Sequence, residues 1–113
     1  MLKDLQIFQK MYEFMVWLYP TIKKFPKNEK YIIGERIEKT ALNVMDGIIT
    51  SNCEFNKSET LKKTNVELEK LRIFIRLAKD LKLMNFKKYE LASRQINEIG
   101  KLLGGLIKKF CKK

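Results

Sequence analysis

The chain has 113 residues, 45% of them hydrophobic and 33% charged, which bounds it to one domain with a modest core. Its 24 Lys and Arg outweigh 13 Asp and Glu, and a net charge of +11 asks for an anionic partner: nucleic acid, an acidic protein or a membrane surface. The chain has no His, and its two cysteines, Cys53 and Cys111, form no CxxC, so composition speaks against a zinc site and against His- or Cys-based catalysis.

Only two prolines and five glycines occur, and no apolar/polar alternation is sustained, so the expected class is all-α. A first helix is predicted over residues 2–24. Leu5, Phe8, Tyr12, Met15, Tyr19 and Ile22 form one apolar seam at spacings of three and four. A second apolar row, Ile7, Met11, Phe14 and Leu18, runs beside it, and Trp17 lies on neither. A helix apolar on several sides is buried on several sides. The second row and Trp17 are therefore expected to face another copy or another protein. Pro20 should kink this helix.

A second helix is predicted over 29–53, capped by Asn28, with Ile33, Ile37, Ala41, Val44 and Ile48 inward. "SNCEFNKS" links it to a third helix over 58–84, with Ser58 as cap and Leu61, Thr64, Leu68, Leu71, Ile75 and Ala78 as its seam. The fourth, over 86–111, is the most regular: Tyr89, Ala92, Ile96, Ile99, Leu103, Leu106 and Phe110. Four such helices with short links predict an antiparallel up-down four-helix bundle. No run of 18 apolar residues and no signal-peptide pattern is seen, so a cytoplasmic protein without membrane contact is expected.

Residues 85–113 alone carry about +6 of the charge. With the fourth seam at heptad positions a and d, Lys87, Arg94, Lys101 and Lys108 fall at the outward f positions. They line one stripe of about 30 Å. Such a stripe can follow a phosphate backbone without reading sequence. Arg72 and Arg76 form a second group with Lys79, although Glu69 and Asp80 stand at pairing distance along the same helix. Lys27, Lys30 and Arg36 cluster around a helix start, where free N–H groups already favour anions. Gly100 and Gly104 share one side of the fourth helix and permit close approach of another backbone. No cofactor and no catalytic constellation is expected.

The segments "WLYPTIKKFPKNEKYIIGERI", "LRIFIRLAKDL" and "YELASRQINEIGKLLGGLIKKF" resemble the Avd (accessory variability determinant) proteins of diversity-generating retroelements. That family belongs to a wider group of four-helix proteins that includes those encoded within bacterial 23S ribosomal RNA genes. The resemblance spans about residues 12–110. It implies a ring-like homopentamer that binds nucleic acid and a reverse transcriptase during mutagenic copying. It also implies that Lys27, Lys30, Arg36, Arg72 and Arg76 occupy the family's basic positions. Leu106 stands where the family often carries tryptophan, which leaves the ribosomal-gene relatives as the alternative. A structural bundle that binds an acidic protein is the other alternative.

Overall fold

The computed structural model describes residues 2–111, with side-chain surroundings from Gln6 onward. The chain is helical almost throughout: α1 (Leu2–Lys23), α2 (Lys27–Glu29), a π turn (Lys30–Gly34), α3 (Glu35–Cys53), α4 (Ser58–Asp80) and α5 (Phe86–Phe110). No strand occurs among the described residues. α2, the π turn and α3 follow one another without a break, so four long helical arms result. α3 packs on α1 and α4, and α5 packs on α4 and α1, giving a body of 44 × 23 × 23 Å.

The core fills the space between all four arms. Ile37, Ala41, Val44 and Ile48 of α3 meet Leu61, Leu68, Leu71 and Ile75 of α4 and Ala92, Ile96, Ile99 and Leu103 of α5. These are the predicted seams, and each lies inward as its spacing requires. Phe110 departs from its seam. It is exposed at the end of α5, with the ammoniums of Lys57 and Lys109 over its ring at 5.5 and 5.2 Å.

α1 overturns one expectation. Ile7, Met11, Phe14 and Leu18 are 0–1% exposed within a single chain, so this row is core and is closed to any partner. Trp17 is half-buried with its ring 6.0 Å from that of Phe14, and it too packs against the core. Part of the other row faces outward: Tyr12 is 52% exposed, while Phe8 and Tyr19 are half-buried. The side chain of Leu5 lies outside the described residues. The helix continues past the exposed Pro20 to Lys23.

The helix ends differ from expectation at three places. Pro26, with φ −54°, stands at the N-cap before Lys27, and Asn28 lies within the first turn without capping it. Ser58 is the first residue of α4 rather than its cap; its N–H donates instead to Asn56 Oδ1. α4 stops at Asp80, four residues early, because Lys82 enters the left-handed region at φ 65°. There the Leu83 N–H donates to the Ala78 carbonyl and the Lys82 N–H to that of Lys79, which satisfies the last turn. Asn85 then caps α5, its Oδ1 accepting from the Lys88 N–H at 2.8 Å.

Two glycines explain close helix approaches. A Cβ on Gly34 would stand 2.7 Å from Ile22 Cγ2 of α1. A Cβ on Gly47 would stand 1.9 Å from Thr64 Oγ1 of α4. Both contacts are within the chain.

Candidate nucleic-acid interface

α5 presents its buried seam to the core, so the positions half a turn away face solvent. Lys87, Arg94, Lys101 and Lys108 are all exposed there. None of the four takes part in an ion pair among the described residues. Glu90 is exposed on the same face between Lys87 and Arg94, and it is the one acid that interrupts the line. Glu98 is drawn away to α1, where Lys10 Nζ approaches it at 3.4 Å.

The α4 cations adjoin this face but are already engaged. Arg72 reaches across to Asn97 of α5 through Nη1 and pairs with Glu69 at 3.4 Å. It therefore ties two helices together. Gly100 belongs to the same contact, since a Cβ there would come within 3.3 Å of Arg72 Nη2. Gly100 thus serves packing inside the chain, whereas Gly104 is open, with nothing within 4 Å of a Cβ. Arg76 is mostly exposed and lies 3.9 Å from Asp80. Lys79 also touches Asp80, at 3.1 Å, and places its ammonium 4.8 Å from the Tyr89 ring centroid. An exposed pair of this kind is weak and yields readily to a phosphate.

The third group separates from the other two. Lys27 is exposed in α2, and Lys30 is half-buried as the first residue of the π turn. Arg36 lies over the Phe74 ring at 4.9 Å, in a hollow lined by Ile32, Ile33, Phe74 and Leu77. This is the α3 flank of α4, while Arg72 faces α5. The exposed side chains of Val66 and Ile73 mark the outer side of α4, and Leu77 borders it from the hollow.

An apolar strip on another side went unread in the sequence. Tyr12 and Val16, the latter 60% exposed, continue Phe8 and Tyr19 along α1, and Leu42, Met45 and Ile49 lie exposed or half-buried on α3. Glu38 of α3 is near enough to Tyr19 that, after burial, its charge helps hold the phenol pKa above the ordinary value. Glu38 is itself held up, by burial and by Glu35, against the opposing pull of Lys23.

No group of His, Cys, Asp and Glu among the described residues is arranged to hold a metal ion. No described helix is long and apolar enough to cross a membrane. What this surface offers is unpaired positive charge on a rigid helix. A family model of bAvd-like proteins matches residues 5–110, nearly the whole chain and every helix of the bundle. The chain belongs to the bAvd-like family. This places it among the accessory proteins of diversity-generating retroelements, a family of adaptors rather than known enzymes. None of the curated proteins compared with this bAvd-like chain matches it. The family match covers all three basic groups and the apolar strip.

Proposed function

We propose that this protein is a non-enzymatic basic adaptor of mutagenic retrohoming, one that holds RNA or DNA by its phosphates and docks a reverse transcriptase. It works as an antiparallel up-down bundle in the cytoplasm, and copies assemble into a ring-like homopentamer. The observation that carries the nucleic-acid reading is the α5 stripe: Lys87, Arg94, Lys101 and Lys108 are exposed and outside any ion pair among the described residues. The stripe repeats about every 10 Å along the helix, and phosphate contacts of this kind give affinity with little sequence preference. The polymerase role rests on family membership. The assembly role is supported by the strip of Phe8, Tyr12, Val16, Tyr19, Leu42, Met45 and Ile49, whose exposed and half-buried apolar side chains lie on α1 and α3.

The test is a salt titration of binding. Four phosphate contacts contribute about −3 to the slope of log Kobs against log salt for a single strand. Changing Lys87, Arg94, Lys101 and Lys108 to Glu is expected to remove that slope and abolish binding while helicity is kept. Binding that survives the fourfold change sinks this reading. A second reading, a bundle that binds an acidic protein, is favoured by the Arg36-rimmed apolar hollow on the α3 flank of α4. It predicts flat nucleic-acid titrations at low salt together with tight capture of an acidic partner lost in Arg36→Glu.

A further inference from the structure

We propose that Phe86 is a stacking platform for an unpaired base, so that the nucleic acid is single-stranded where it passes the corner between α4 and α5. This rests on the nucleic-acid reading above and supplies the form of the ligand. Phe86 is 65% exposed, although the buried seam of α5 begins only at Tyr89 and Met84 already fills the core below the corner. The core gives it no reason to be aromatic; Tyr89 is its aromatic neighbour. Its backbone is nevertheless fixed: Asn85 caps the helix, and Phe86 is the first residue of α5. The ring stands 6.3 Å from that of Tyr89 with the planes 45° apart, leaving much of its surface to solvent.

The surroundings decide what this ring can take. Lys82 and Lys87 are exposed on either side of it in sequence, Lys79 covers Tyr89, and Arg76 lies one turn back along α4. Two acids stand near this corner: Asp80 is already shared between Arg76 and Lys79, and Glu90, exposed one turn along α5, lies between Lys87 and Arg94, so that the cations outnumber the acids around the ring. An aromatic face set among cations at the head of a basic stripe suits a base on the ring and phosphates on the lysines, the arrangement of sequence-tolerant single-strand binders. A duplex keeps its bases stacked on one another and cannot offer one to Phe86. Phe55 provides the contrast. It is fully exposed, but the hollow beside it is lined by Glu54 and Glu59, which repel phosphate.

The experiment uses the full chain and fluorescein-labelled oligothymidylate of about 16 nucleotides, the upper end of known site sizes. The duplex with its complement is measured alongside. Phe86→Ala is expected to weaken single-strand binding roughly 5- to 100-fold, the worth of one base stacked on an aromatic. Duplex binding and the salt slope should stay unchanged, since no ion is released by stacking. Phe55→Ala should change nothing. Phe86→Trp in a Trp17→Phe background should keep affinity and be quenched by the oligomer. Equal effects of Phe86→Ala on single strand and duplex, no effect on either, or an equal loss in Phe55→Ala would overturn the proposal. Failure of the underlying reading looks different: the fourfold stripe variant would then bind as well as the parent.

Discussion

Glu67 and Glu38 flank α3 on opposite sides and respond to acid in opposite directions. Burial would raise the Glu67 carboxyl. The hydrogen bonds donated by Asn43 and Lys70, both at 3.0 Å, with the charges of Lys70 and Arg36, outweigh burial and leave its pKa low. A folded pKa below the unfolded one means stability that is present above the ordinary carboxylate range and lost as pH falls through the folded value. Glu38 has the reverse sign. Its folded pKa is raised by burial and by Glu35, so ionisation costs stability, and that cost is relieved as pH falls through the folded value. Glu67→Gln should therefore destabilise at neutral pH and flatten the loss on acidification. Glu38→Gln should stabilise at neutral pH and steepen that loss. Each effect is about 1 kcal/mol or less for groups this near the surface. Urea midpoints at neutral pH and in the ordinary carboxylate range check it, and shifts of the same sign for the two variants would contradict the assignment. The sequence suggested that intrahelical partners engage Arg72 and Arg76, and both pairs form. It could not show Arg72 reaching Asn97, or Glu67 accepting from Asn43, because such contacts depend on how neighbouring helices are registered.

At the scale of elements, the α5 pattern was legible and the α1 pattern was not, for the same physical reason. In α5 one row is apolar and the opposite row is Lys87, Arg94, Lys101 and Lys108, so only one face can be inward. In α1 two adjacent rows are apolar, and periodicity finds both without ranking them. Packing settles it by shape and polarity. The aliphatic and phenyl row enters the core together with Met15 and Ile22 of the other row, while Tyr12 and Tyr19, whose hydroxyls need a polar partner or water, stay at the rim. The end of α4 was misplaced because the left-handed residue that stops it is a lysine, where a glycine would have announced the turn. That substitution carries a prediction. A non-glycine residue in the left-handed region costs about 1–2 kcal/mol, and the paired Leu83 and Lys82 N–H groups fix the backbone there. Lys82→Gly should raise stability by about 1 kcal/mol, read as a higher urea midpoint with an unchanged m-value. A lower midpoint would mean that the Lys82 side chain contributes more than its backbone costs.

For the whole molecule, the question is which surface one copy gives to another. An interface of ordinary size takes roughly 800 Å² from each partner. That is about a tenth of the 7464 Å² exposed here. The strip of Phe8, Tyr12, Val16 and Tyr19 with Leu42, Met45 and Ile49 spans the middle of α1 and of α3, about 17 Å along α1, and is the candidate for one side of such a contact. A closed ring needs head-to-tail contact, hence a second and different face on each copy. The exposed Val66, Ile73 and Leu77 of α4 are one such apolar row among the described residues. Core substitutions cannot test this. Met11→Ala would cost about 2–5 kcal/mol by opening a cavity, and it would destabilise the chain whether or not copies associate. Surface charges can. Val16→Lys with Leu42→Lys places two ammoniums in the strip at positions already exposed, so each chain should keep its helicity and thermal midpoint. Sedimentation equilibrium should then return the 13.5 kDa of one chain, where the parent returns a multiple of it. If the double variant sediments like the parent, the strip is not the contact. If the parent itself sediments as a single chain at micromolar concentration, self-association fails with it, and the apolar strip becomes the place to seek the polymerase.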